Sequence, residues 1–184
     1  MSLFSRFLIL LIISVTNVTM QDPDCGLFSG WEDARNLNLG HLWFEKSSQF
    51  GYSQAKQFCE DRHSNLIEID SEDQMNYVVG RLKSFGLGGK GWWGGATDAQ
   101  REGTWRWPKS GRQVQNFVWG VTPGGLAGVC GFNGCRCQEP NNCGGNEDYF
   151  SFYRANGYKG GDVLGSLRLY PLCQQKRFDK ICDY

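Results

Sequence analysis

Tyr52-Ser-Gln-Ala-Lys-Gln-Phe-Cys-Glu-Asp-Arg62 and, three residues on, Asn65-Leu-Ile-Glu-Ile-Asp-Ser-Glu72 are the stretch from which the fold is read. In the first segment Ala55, Phe58, Cys59 and Arg62 recur at steps of three and four, so one face of a helix from Tyr52 to Arg62 is turned to a core. A second helix is predicted over 71–83. Ser71 and Gln74 stand at capping-box spacing, and Met75, Val78, Val79 and Leu82 form one apolar stripe. Between the helices, Leu66-Ile-Glu-Ile69 alternates like a short strand or an extended link.

Beyond the second helix the texture changes. Gly86-Leu-Gly-Gly-Lys-Gly91 reads as a turn. Thr104–Trp107, Tyr149–Tyr153 and Lys180–Cys182 read as short strands, being aromatic or β-branched. Between Trp119 and Tyr149 lies a glycine- and cysteine-rich loop without a period of 2 or 3.6. Twenty of the 25 glycines fall from Gly86 to Gly165. A loop of this length either binds something or needs covalent staples.

Two clusters of hard oxygen donors sit in or beside this glycine-rich half: Asp98 with Glu102, and Glu139-Pro-Asn-Asn142 with Glu147-Asp148. Carboxylates and amide carbonyls in such number suit calcium, which takes about six to eight oxygens; a solvated acidic loop is the plainer alternative. A cis peptide before Pro140 would aim the side chains of its two neighbours the same way.

Composition excludes several classes. Nineteen basic and 19 acidic residues cancel, leaving no basic excess for nucleic acid. An aromatic content of 14% excludes a disordered chain. No Gly-x-Ser-x-Gly elbow occurs, the glycine runs lack a phosphate-loop Lys-Ser/Thr, and His41 and His63 are the only histidines, so no enzyme is expected. His63 is expected as a helix C-terminal or surface group, and Trp92, Trp93, Trp105, Trp107 and Trp119 as core.

Residues 1–20 carry one charge, Arg6, ahead of the apolar run Phe7–Val15. This is the pattern of a secretory signal peptide, too short for a membrane span of about 20 residues. The expectation is a signal over 1–20 and one secreted, extracellular domain over 21–184. An oxidising destination makes disulfides the default for the eight cysteines, with a zinc cluster of Cys130, Cys135, Cys137 and Cys143 as the alternative.

Five segments in order resemble a known family. Tyr52–Cys59, Asn65–Glu72, Trp93-Gly-Gly-Ala-Thr-Asp98, Glu102-Gly-Thr-Trp-Arg-Trp107 and Glu139-Pro-Asn141 are similar to the successive motifs of C-type lectin-like domains, the resemblance running over about 43–182 with Cys182 at its end. The resemblance implies an α+β fold of two helices and short antiparallel sheets with a long disulfide-stapled loop region. It implies a calcium-dependent lectin without catalytic residues, of the type that binds mannose, N-acetylglucosamine or fucose through equatorial vicinal hydroxyls, with recognition of microbial sugars in innate immunity as its setting. The sugar and calcium ligands it implies are Glu139, Asn141, Glu147 and Asp148. An auxiliary calcium would take Asp98, Glu102, Asn142, Glu147 and Asp148. The family's Asn-Asp ligand pair maps onto Leu169 and Tyr170, neither of them a calcium ligand, with Asp162 the nearest substitute. A sugar-independent, protein- or surface-binding domain of the same fold is the other reading. The resemblance also implies a Cys59–Cys182 bridge and, with its usual partner replaced by Tyr149, a Cys143–Cys173 bridge; Cys25, Cys130, Cys135 and Cys137 receive no assignment.

Overall fold

The computed structural model describes residues 30–87, 91–120, 138–143, 145–153 and 157–176. The signal segment, Cys25, Cys130, Cys135, Cys137 and the strand expected at Lys180–Cys182 lie outside the described residues.

Both helices form where the apolar periodicity put them. α1 spans Tyr52–Glu60 and buries Tyr52, Ala55 and Cys59. Its last turn closes on His63, which adopts a left-handed φ of 51° and donates its N–H to Glu60 O at 3.0 Å. α2 spans Glu72–Ser84 and buries Met75, Val78 and Leu82. The Ser71 hydroxyl accepts the Gln74 N–H at 3.3 Å, but the Gln74 side chain reaches back to the Asp70 N–H at 2.7 Å rather than to Ser71. Half of the capping box is therefore made at the residue before the cap. Glu72 and Asp73 in the first turn and Arg81 and Lys83 in the last complement the helix dipole.

The strands are β1 (Glu32–Asp33), β2 (His41–Phe44), β3 (Asn65–Leu66), β4 (Trp92–Thr97), β5 (Tyr149–Phe152), β6 (Gly160–Val163) and β7 (Tyr170–Gln175). They form one sheet in the order β1-β2-β7-β4-β5-β6, with β3 also paired to β7. The α+β class holds, but the sheet is mixed, because β4 and β7 run parallel, with Trp92 opposite Tyr170. The strand expected at Thr104–Trp107 is reduced to bridges from Arg106 to Thr97 and Gln113. Trp105 and Trp107 still turn inward with Arg106 exposed between them, the alternation of an extended segment without a full ladder.

Two apolar clusters flank the sheet. The larger holds Trp92, Trp107, Phe150, Phe152 and the buried side of α2. Its rings meet edge to face, Phe150 on Phe152 at 5.0 Å and Phe44 on Trp92 at 5.9 Å, the arrangement aromatic quadrupoles favour. The smaller holds Tyr52, Ala55, Trp93 and Leu169 around a Cys59–Cys173 disulfide.

That disulfide corrects the expected pairing. Cys173 lies in the middle of the central strand β7, opposite Trp43 and Leu66, and its Cα is 5.4 Å from that of Cys59. Cys59 is thus not bonded to Cys182, nor Cys173 to Cys143. Cys143 is itself disulfide-bonded, to a partner outside the described residues, and this removes it from the zinc alternative. Leu169 is 5% exposed in the smaller cluster, and Tyr170 packs on Trp92 at 5.2 Å. Neither occupies a ligand position.

Gly40 is the tightest approach in the β1–β2 turn. It has φ of +73°, and a Cβ there would stand 2.2 Å from the Gln175 carbonyl oxygen. Gly40→Ala is expected to cost on the order of 3 kcal/mol in urea unfolding, from left-handed strain and overpacking together. Among the described residues no helix is long and apolar enough to cross a membrane.

Candidate functional site

The edge strands β5 and β6 carry the site. Phe150 pairs with Asp162, and Phe150, inward and fully buried, anchors the register in the larger cluster. β6 is almost side-chain-free at its start, which lets a neighbouring loop come close. Gly120 donates its N–H to Gly160 O at 2.8 Å and accepts the Glu139 N–H at 3.2 Å, so the segment from 138 enters directly beside β6.

There Asp162, 4% exposed, receives two backbone donors on its two oxygens: the N–H of Asn141 at 2.8 Å and that of Asn142 at 2.5 Å. The Glu139–Pro140 peptide is cis. Asn141 Nδ2 donates to Glu139 Oε2 at 2.8 Å, so the two outer side chains of the triplet adjoin. Asn142 takes a left-handed φ of 45°, and its Oδ1 accepts the Glu147 N–H at 3.0 Å. Glu147 Oε2 in turn accepts the Cys143 N–H at 2.8 Å. Nearly every bond in this loop is thus a backbone donor held by a side-chain oxygen of the same short segment or of Asp162.

The arrangement brings Glu139, Asn141, Glu147 and Asp162 together. Burial pushes the Glu147 carboxyl up to about 7, against the Cys143 N–H, and the like charge of Asp162 adds to the rise. Asn141 Oδ1 is buried without a hydrogen-bond partner among the described residues. A buried unmet acceptor beside crowded carboxylates is what a site for a cation presents before the cation arrives.

A second group lies where β4 ends. Asp98 is 3% exposed; its Oδ2 accepts the Gly103 N–H at 2.8 Å and its Oδ1 is buried without a partner among the described residues. Burial raises its pKa, and the charges of Glu102 and Asp148 raise it further. Asp148 is fixed through its backbone, whose carbonyl accepts the Thr97 hydroxyl at 2.7 Å. The auxiliary set therefore divides: Asp98 has Glu102 and Asp148 as like-charged neighbours, whereas Asn142 and Glu147 brace the adjacent loop and Glu147 has Asp162. Among the described residues no three His, Cys, Asp or Glu side chains make a metal-binding group by themselves. A cation here would need amide or backbone oxygens as well.

Leu169 and Tyr170, onto which the family's Asn-Asp pair maps, lie away from this loop, and Asp162 is the acid set against the N–H groups of Asn141 and Asn142; the residue before it, Gly161, has no side-chain oxygen.

Comparison with known proteins identifies the family and the fold. The family model described as "Lectin C-type domain" matches residues 48–158. The chain belongs to the C-type lectin domain family. It is 27% identical over 136 residues to the hepatic lectin of Gallus gallus; that match covers 74% of this chain and 55% of the relative, so the chain spans little more than half the relative's length. Among solved structures it is similar to the carbohydrate-recognition domain of the mouse scavenger receptor C-type lectin, with a TM-score of 0.60 at 20% identity, covering 83% of this chain and 99% of that one. It is also similar to the cow C-type carbohydrate-recognition domain of CD23, solved in the presence of a GlcNAc2Man3 oligosaccharide, with a TM-score of 0.52 at 20% identity over 73% of this chain and 86% of that one. At such identities the solved structures speak for the C-type lectin fold alone.

Proposed function

We propose that this C-type lectin domain is a secreted, calcium-dependent carbohydrate-binding protein for glycans of the mannose, N-acetylglucosamine and fucose type. The observation that carries the proposal is the unmet, buried Asn141 Oδ1 set beside Glu139, Glu147 and Asp162. The donor types suit a hard cation, since Glu139, Asn141, Glu147 and Asp162 all bear oxygens, but among the described residues the carboxylates do not form a metal-binding group by themselves, so backbone carbonyls and the sugar would complete the shell. When bound, calcium would neutralise the carboxylates and take two sugar hydroxyls as ligands. The chain's own contribution is orientation. Glu139 would accept from one hydroxyl and the Asn141 amide donate to the next, the two side chains being adjacent and bonded to each other at 2.8 Å in the free chain. Asp98, Glu102 and Asp148 are proposed to hold an auxiliary calcium. Extracellular residence, with a signal over 1–20 ahead of the domain, accords with a chain whose described cysteines are all in disulfides.

The test is retention on immobilised mannose with calcium and elution by a chelator. Failure to bind any of a broad glycan panel in calcium would sink this reading. It would favour a sugar-independent, protein-binding domain, for which Gly161, without a side-chain oxygen beside Asp162, is the supporting observation.

A pH dependence follows. Glu147 stands at about 7 in the folded, metal-free chain against an ordinary 4.5. Its neutral form favours the fold most fully below pH 4.5, and this contribution is lost as pH rises through 7. Calcium needs the charged form and must displace a proton below pH 7. Calcium affinity at pH 5.5 is expected to be at least tenfold weaker than at pH 8 in calorimetric titrations. A flat profile across that range would remove Glu147 from the ligand set.

A further inference from the structure

Two adjoining cavities open on a part of the C-type lectin domain that shares no residue with the Glu139–Asp148 loop, Asp98, Glu102 or Asp162. One, of about 270 Å3, lies between α1 and the turn at Pro108–Lys109; the other, of about 370 Å3, lies between that turn and the end of β7. Asn65, Glu68 and Lys109 line both, so the two form a single cleft with Lys109 at its waist.

The polar groups of the cleft are unbalanced. Its buried carboxylate is committed: Glu68, 3% exposed, receives the Ser110 N–H at 3.0 Å on one oxygen and Arg112 at 3.5 Å on the other; Glu60 is held only by its exposed pair with Lys56 at 3.5 Å. Its donors are not. Among the described residues Lys109 meets no carboxylate, and the side chains of Asn65 and Gln175 make no hydrogen bond. Lys56 and Lys176 line the two ends, each in one exposed ion pair of the kind worth about 0–1 kcal/mol, easily exchanged for a ligand. With Lys56, Lys109 and Lys176 set against Glu60 as its exchangeable charges, the cleft keeps an excess of donors and selects a ligand rich in anionic acceptors.

The shape narrows the class. Each cavity is near the lower size of small-molecule pockets, about 300 Å3, and the pair repeats along one line. Leu66, Pro108 and the ring of the buried Tyr52 are the apolar side chains among the described residues of the lining, and all three lie in the first cavity, few for the apolar anchors on which peptide partners depend. Asn65 and Gln175 suit hydroxyls, while the lysines suit charges carried on successive rings. We propose that this cleft is a second carbohydrate site, for sulfated or carboxylated saccharides, which works without calcium.

The test titrates the full chain with a heparin-derived hexasaccharide in chelator. Binding is expected, and it should weaken at least tenfold between 50 and 500 mM salt, because the contacts are screened. Lys109→Glu should weaken it at least tenfold and Asn65→Ala by a few-fold, with thermal unfolding unchanged in both, since Lys109 is exposed and bonded to nothing described. Glu139→Ala should leave it unaltered, which separates this site from the calcium-dependent one whatever that loop turns out to bind. No binding at 50 mM salt, equal binding by Lys109→Glu, equal binding of an uncharged oligosaccharide of the same length, or loss of binding in Glu139→Ala would each overturn the proposal.

Discussion

Replacing Cys59 and Cys173 together by alanine is expected to lower unfolding stability by about 4–5 kcal/mol, the chain-entropy value for a closed loop near 100 residues. The sequence separation of the bridge is 114, so nearly two thirds of the chain lies inside it. The link also fastens α1 to β7, the central strand that pairs with β2, β3 and β4. Domains of this size have only about 5–15 kcal/mol in total, so the double variant should be close to unfolded at 37 °C. Urea unfolding of the oxidised parent against the double variant measures this. Cys182→Ala is the counterpart: it leaves the 59–173 bridge intact and should cost clearly less. Equal losses in the two variants would restore the 59–182 pairing, and a peptide map linking 59 with 173 would exclude it.

The same bridge explains where the sequence was legible. α1 and α2 are amphipathic, with one face wet, so periodicity alone locates them to within two residues. β7 offers no such contrast. Five of its six residues are buried, among them Gln174, whose amide donates to Leu39 O at 3.0 Å and accepts the Glu68 N–H at 3.1 Å. Pro171 and two glutamines argue against a central strand when no partners are in view. With β7 unmarked, Cys182 rather than Cys173 stands as the partner of Cys59, and the Asn-Asp pair falls on Leu169 and Tyr170, just before Cys173; the Cys59–Cys173 bridge corrects the pairing. β6 was hidden for a related reason: Gly160-Gly-Asp-Val163 is buried throughout and has no alternation. The Glu139-Pro-Asn141 triplet was readable because its meaning lies in three adjacent side chains. Asp162 is readable only as the nearest substitute for the missing pair; that its carboxylate takes the N–H groups of Asn141 and Asn142 depends on β6 lying beside that triplet.

Asp162→Ala is expected to abolish calcium-dependent glycan retention and to weaken calcium binding at least a hundredfold. Two effects combine. The site loses one of three carboxylates near the unmet Asn141 Oδ1, and the loop loses the acceptor for the N–H groups of Asn141 and Asn142. Hydrogen bonds to a charged group contribute about 1.5–3 kcal/mol each, so the loop alone would be less stable by roughly 3 kcal/mol or more. A ligand that must first order a loop loses tenfold in affinity for each 1.4 kcal/mol that ordering costs. The effects separate by amide hydrogen exchange in chelator, where no metal is bound. If Asp162 clamps the loop, exchange at Asn141 and Asn142 should be at least tenfold faster in the variant, while Phe150 and Phe152 in β5 keep their protection. Asp162→Asn retains a single acceptor oxygen and turns an amide N–H₂ toward the second backbone donor, so it should fall between the parent and alanine in exchange. Unchanged exchange in Asp162→Ala would leave Asp162 a metal ligand only. Unchanged calcium affinity would leave it a clamp only, with the cation held by Glu139, Asn141 and Glu147.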